Sequence, residues 1–96
     1  MIQEITISGE TSVLLKPLVE SAIRSQLKSL THGIGRTRER LKNFEQKYNM
    51  SSAEFERRFK THAINESLDF IDWWMEVEAL YLLESKYQAL HEARIG

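Results

Sequence analysis

Residues 27–48 read LKSLTHGIGRTRERLKNFEQKY. Leu27, Leu30, Ile34, Thr37, Leu41, Phe44 and Tyr48 recur at steps of 3, 4, 3, 4, 3 and 4. Such spacing puts seven side chains on one seam of an α-helix, the pattern of a helix that packs along another helix. Val19 and Ile23 carry the seam upstream. It passes through Gly33 and Gly35, each costing a helix ~1 kcal/mol relative to alanine, which permits a bend at residues 31–35 without demanding one. The spacing predicts one long helix over about 12–48, with two helices broken at the glycines as the open alternative. Thr11 or Ser12 would cap it, and Pro17 would either kink it or mark its first regular turn.

Beyond the seam, Asn49 suits a left-handed helix end. Ser51-Ser52-Ala53-Glu54 reads as a capping box for a short helix over about 52–60, with Phe55 and Phe59 turned inward. Residues 61–65 read as a connector. A last helix is expected over about 66–93, free of Gly and Pro. Twelve of the sixteen residues 68–83 are apolar, more than one stripe holds, so the surplus should meet another protein surface. Trp73, Val77 and Leu80 make one face, expected to lie against Thr37, Leu41, Phe44 and Tyr48. Phe70, Trp74 and Tyr81 make another. At the other end, residues 2–8 alternate as IQEITIS, closed by Gly9. An isolated strand leaves its backbone groups unpaired, so Ile5 and Ile7 are expected to pair with a second copy, through an arm over 1–9.

The fold expected is therefore all-α, a single domain over 1–96. It is a long antiparallel helical hairpin of coiled-coil type with a short connecting helix and a short N-terminal strand. Composition agrees: 96 residues with one proline, four glycines and no cysteine leave few turns for a β-fold and no thiolate for a disulfide, a nucleophile or a Cys-type zinc site. No apolar run reaches the ~18 residues of a membrane span and no signal peptide is legible, so a cytoplasmic protein is expected.

Charge is divided. Residues 1–50 carry eight Lys/Arg against five Asp/Glu, and residues 51–96 carry five against nine. Arg36, Arg38, Arg40 and Lys42 flank the seam, where interhelical ion pairs form. DNA phosphate is the alternative contact for these four, weakened by the net charge of −1. No site for chemistry converges. His32, His62 and His91 lie far apart. His62, Glu66 and Asp69 make a poor metal set, and Asp69, Asp72 and Glu76 are what any acidic helix offers. Gly33-Ile34-Gly35 is too short for a nucleotide loop. No catalytic, cofactor or metal residue is assigned and no small-molecule substrate is expected. The partner-binding face is read as Phe70, Trp73, Trp74, Met75 and Tyr81, rimmed by Asp69, Asp72, Glu76 and Glu78. Which surface serves a homodimer and which another protein stays open at this point.

The strings LTHGIGRTRERLKNFEQKYNMSSAEFERRF (residues 30–59) and LDFIDWWMEVEALYLLESKYQAL (residues 68–90) resemble a family of small prokaryotic antitoxins of the TumA type, encoded beside a TumE-type toxin. The likeness covers about residues 25–90. Its motifs are caps, seam and aromatics, and Gly35 and Trp74 depart from its pattern. It implies a non-enzymatic antitoxin that masks its toxin. The ITIS-then-helix start also resembles ribbon-helix-helix antitoxins, in which paired strands enter DNA. Here the strand carries Glu4 and no Lys or Arg, and the helices are too long. A DNA-binding autoregulator and a purely structural homodimerisation module are thus the alternative functions.

Overall fold

In the computed structural model, the structure describes residues 9–95 along the backbone and the side chains of residues 13–93. Three helices follow one another: α1 (Gly9–Tyr48), α2 (Ser52–Lys60) and α3 (Leu68–Ile95). No strand occurs among the described residues. The expected strand of residues 2–8, with Ile5 and Ile7, lies outside them. α1 starts earlier than expected, because Gly9 is already helical rather than the end of an arm. The helix runs unbroken through Pro17, Gly33 and Gly35, which settles the choice between one helix and two. Its 40 residues at ~1.5 Å each account for the molecule's 60 Å long axis.

Both chain reversals are helix caps. Asn49 takes φ 49°, and the Met50 N–H reaches back to the Glu45 carbonyl at 3.2 Å, the six-to-one closure of a Schellman motif. α2 ends the same way: His62 has φ 56°, and the Ala63 N–H donates to the Arg58 carbonyl at 2.8 Å. α2 begins at the predicted cap, where Ser51 Oγ accepts the Glu54 N–H at 3.1 Å. The capping box is only half made, however. The Glu54 carboxylate turns to Arg57 and Arg58, and the Ser52 N–H is taken by Glu45 Oε2 at 2.7 Å. α3 is capped by Ser67, whose Oγ accepts the Phe70 N–H at 3.1 Å, so it starts two residues later than the expected 66.

The core forms where the three helices meet. Leu41, Phe55, Trp73 and Val77 are its buried centre, with Phe44, Tyr48, Met50, Phe59, Ile64, Phe70, Trp74 and Leu80 packed around it. Trp73 is fully buried. Its ring stacks on Phe55 at 4.0 Å and on Phe44 at 5.6 Å, and its Nε1–H donates to Ser52 Oγ at 3.0 Å. One tryptophan thus contacts α1, α2 and the cap between them. The expected apposition of the two seams is present. Ion pairs along the α1–α3 boundary give its antiparallel register: Arg38 to Glu84 at 3.3 Å, Arg40 to Glu76 at 3.1 Å and Lys47 to Asp69 at 2.6 Å. Exposed pairs of this kind contribute ~0–1 kcal/mol each, so they hold register more than stability. Thr37, the polar member of the seam, is buried.

Chemical denaturation should find Trp73→Ala destabilised by ~3–5 kcal/mol, the cost of emptying a large core site. Ser52→Ala should cost ~1–3 kcal/mol, because it leaves the indole N–H without an acceptor. Gly35→Ala should act in the opposite sense. A Cβ there meets nothing within 4 Å, so the substitution should raise stability by ~1 kcal/mol through helix propensity alone.

Acid should loosen the scaffold. Hydrogen bonds from Arg57 and Arg58 pull the Glu54 carboxyl down to about 2, and those from Lys47 and Tyr48 hold Asp69 below the ordinary carboxylate range. A carboxyl depressed on folding stabilises above its unfolded pKa and loses that contribution as pH falls through the folded one. Stability should therefore be full near neutrality and decline below about pH 4.5 toward pH 2. Tm measured against pH should show a shallower acid slope in Glu54→Gln and Asp69→Asn.

Candidate functional site: the outer face of the third helix

α3 is apolar on two sides. One side carries Trp73 and Val77 into the core. The other carries Leu68, Ile71, Met75 and Leu82, exposed by 82%, 39%, 62% and 56%. Leu82 is nine positions from Trp73, two and a half turns, so it points directly away from the core, and Ile71 and Met75 fall within about 20° of that line. Steps of 3, 4 and 7 make these four residues a continuous stripe. Asp72 and Glu78 stand exposed along it. Scattered surface leucines are ordinary, but a row of four large side chains opposite a core is the profile of a helix covered on both faces.

Along one edge the stripe meets a groove between α1 and α3. The groove has a volume of about 410 Å³ and is lined by Arg40, Phe44, Lys47, Asp72, Met75 and Glu76, with Asn43 at its side. Phe44 and Met75 give it an apolar floor, and the Arg40–Glu76 pair joins its walls. A side chain of a docked protein would find apolar contact there between charges of both signs.

The residues singled out from the sequence divide among three places. Trp73 belongs to the core, not to a binding face. Phe70 is half-buried, tilted against Tyr48 at 4.9 Å and Phe55 at 5.7 Å, so it too serves packing. Trp74 stacks on Phe59 at 5.0 Å, with Lys60 Nζ 5.8 Å from its ring centre; α2 covers it in part. Tyr81 is exposed but tied, its hydroxyl donating to Glu56 Oε2 at 2.8 Å. The acceptor Glu56 raises the Tyr81 pKa, while Lys60 and Tyr81 lower that of Glu56. Asp69 is bound by Lys47 and by the Tyr48 hydroxyl. Of these residues only Met75 stands on the outer stripe itself, with Asp72 and Glu78 exposed beside it. Leu68, Ile71 and Leu82 were missed, although their spacing was readable; Phe70, Trp74 and Tyr81 drew attention because aromatic side chains dominate interfaces.

The basic residues beside the seam divide as well. Arg38 and Arg40 are held by Glu84 and Glu76 of α3. Arg36 and Lys42 are exposed. No group of three His, Asp or Glu with metal-binding geometry occurs among the described residues. His62 sits in its cap and His91 stacks on Tyr87 at 5.9 Å. Among those residues, no helix is long and apolar enough to cross a membrane. Compared with protein-family models, with curated proteins and with solved structures, the chain matches none.

Proposed function

We propose that the chain is a non-enzymatic protein-interaction module whose partner docks on the outer face of α3. The exposed row of Leu68, Ile71, Met75 and Leu82 carries this reading. Burying a large apolar side chain of this kind on a partner is worth ~1.5–3 kcal/mol. The adjoining groove supplies a place for an anchoring side chain, and Asp72 and Glu78 favour a basic partner and speed its approach. Together with the resemblance of residues 25–90 to TumA-type antitoxins, the partner is the toxin product of a neighbouring gene, masked in the cytoplasm of a prokaryote. An autoregulatory role on DNA has less support, since two of the four flanking cations already serve α3.

The test is binding of the neighbouring gene's product, followed by calorimetry. Met75→Asp and Leu82→Asp should each weaken it by about thirtyfold, the ~2 kcal/mol of an interface hot spot, and should abolish rescue from toxicity. Thermal stability should change little, because both side chains are exposed in the isolated chain. Unchanged affinity in both variants would overturn the assignment.

A further inference from the structure

The charges of the groove between α1 and α3 do not balance. Its two cations are already committed. Arg40 donates to Glu76 Oε1 at 3.1 Å. Lys47 donates to Asp69 Oδ2 at 2.6 Å and stands 5.5 Å from the Tyr48 ring centre. The carboxylates are not all used. Asp72 lines the groove and is exposed, and no ion pair among the described residues includes it. Glu76 gives Arg40 only its Oε1, which leaves Oε2 to a second donor. The floor is aromatic on one side. Phe44 stacks on Trp73 with ring centres 5.6 Å apart and planes within 9°. Trp73 is sealed in the core and does not line the groove, so the groove meets the part of the Phe44 ring that Trp73 leaves uncovered. Among the described residues, the chain's own cations stand over Tyr48 and Trp74, not over Phe44.

We propose, resting on the docking face argued above, that this groove seats an arginine side chain of the docked protein, its guanidinium on Phe44 and donating to Asp72 and Glu76 Oε2. The residues present select that side chain. Asp72 and Glu76 are one turn apart at i, i+4 and therefore neighbours on the helix surface, within the span of a forked donor. A guanidinium is planar and weakly hydrated and lies flat on aromatic rings, whereas an ammonium is a compact, strongly hydrated point charge. The methylenes of an arginine stem would cover Met75. A neutral aromatic side chain would also cover Phe44, but it would strip water from the Asp72 carboxylate and return no donor. An acidic side chain would meet Asp72 as a like charge.

The test is an NMR titration of the full chain with N-acetyl-arginine methylamide. The Met75 methyl and Phe44 ring resonances should shift saturably in the millimolar range, the affinity open to a fragment of this size. The lysine counterpart should bind several-fold more weakly. The citrulline counterpart, which keeps the planar end and lacks the charge, should not saturate. Asp72→Asn should weaken the arginine probe by about tenfold, the effect of one charge-assisted hydrogen bond, and should keep its Tm because Asp72 is exposed and unpaired. The complex with the neighbouring gene's product should weaken by a similar factor in the same variant. The probe needs no partner, and Leu82 lies outside the groove, so Leu82→Asp tests the docking face and the titration tests the groove. No saturable shift, equal binding of the arginine, lysine and citrulline probes, or a complex indifferent to Asp72→Asn would each overturn the proposal and leave the docking face standing.

Discussion

The fold turns on one side chain, Trp73 of α3, which touches both other helices. Trp73 leaves α3 and enters the angle between α1 and α2, with its ring against Phe44 and Phe55 and its N–H on Ser52. A stacked, hydrogen-bonded indole tolerates little displacement. Its position therefore sets the separation of α1 and α3 and the angle at which α2 closes their end. The cap serves the same contact. Ser51 opens α2, Ser52 receives the indole, and Glu45 of α1 holds the Ser52 N–H. Three backbone and side-chain bonds thus converge beside the aromatic cluster, and the Asn49 reversal exists to bring them there.

Helices of unequal length explain what remains exposed. α1 has 40 residues and α3 has 28, and α2 caps only one end of the pair. A helix buries one stripe on each neighbour it has. α3 has apolar residues for two neighbours and finds one long one. α1 has seam residues for a longer partner than α3 supplies. The two unsatisfied surfaces lie at different places on the molecule and face different directions. They need not be served by the same partner.

Much of this was legible in the residues. The 3-4 seam predicts the long helix, Asn49 its end, Ser51 and Glu54 the start of α2, and the opposed charges the antiparallel pairing. The outer face of α3 was legible only in outline. Twelve apolar residues in sixteen announce that α3 is apolar on more than one side, but not which residues go where. Trp73 and Trp74 are neighbours in sequence and about 100° apart on the helix. One is sealed at the centre of the core and the other lies under the edge of α2, a distinction that depends on where Phe55 and Phe59 come to rest.

Periodicity, capping residues and the absence of turn formers determined, from the sequence alone, that the chain is helical, where α1 and α2 meet, and which two seams face one another. These are local matters, decided within a few turns of backbone. The tertiary structure decided the rest: which apolar stripe of α3 is spare, that Glu54 serves Arg57 and Arg58 rather than its own cap, and that α1 outruns α3. The reason is physical. Burial belongs to a side chain's surroundings and not to its identity, and the reach of one helix past another is set by register across the interface, to which the spacing within either helix is blind.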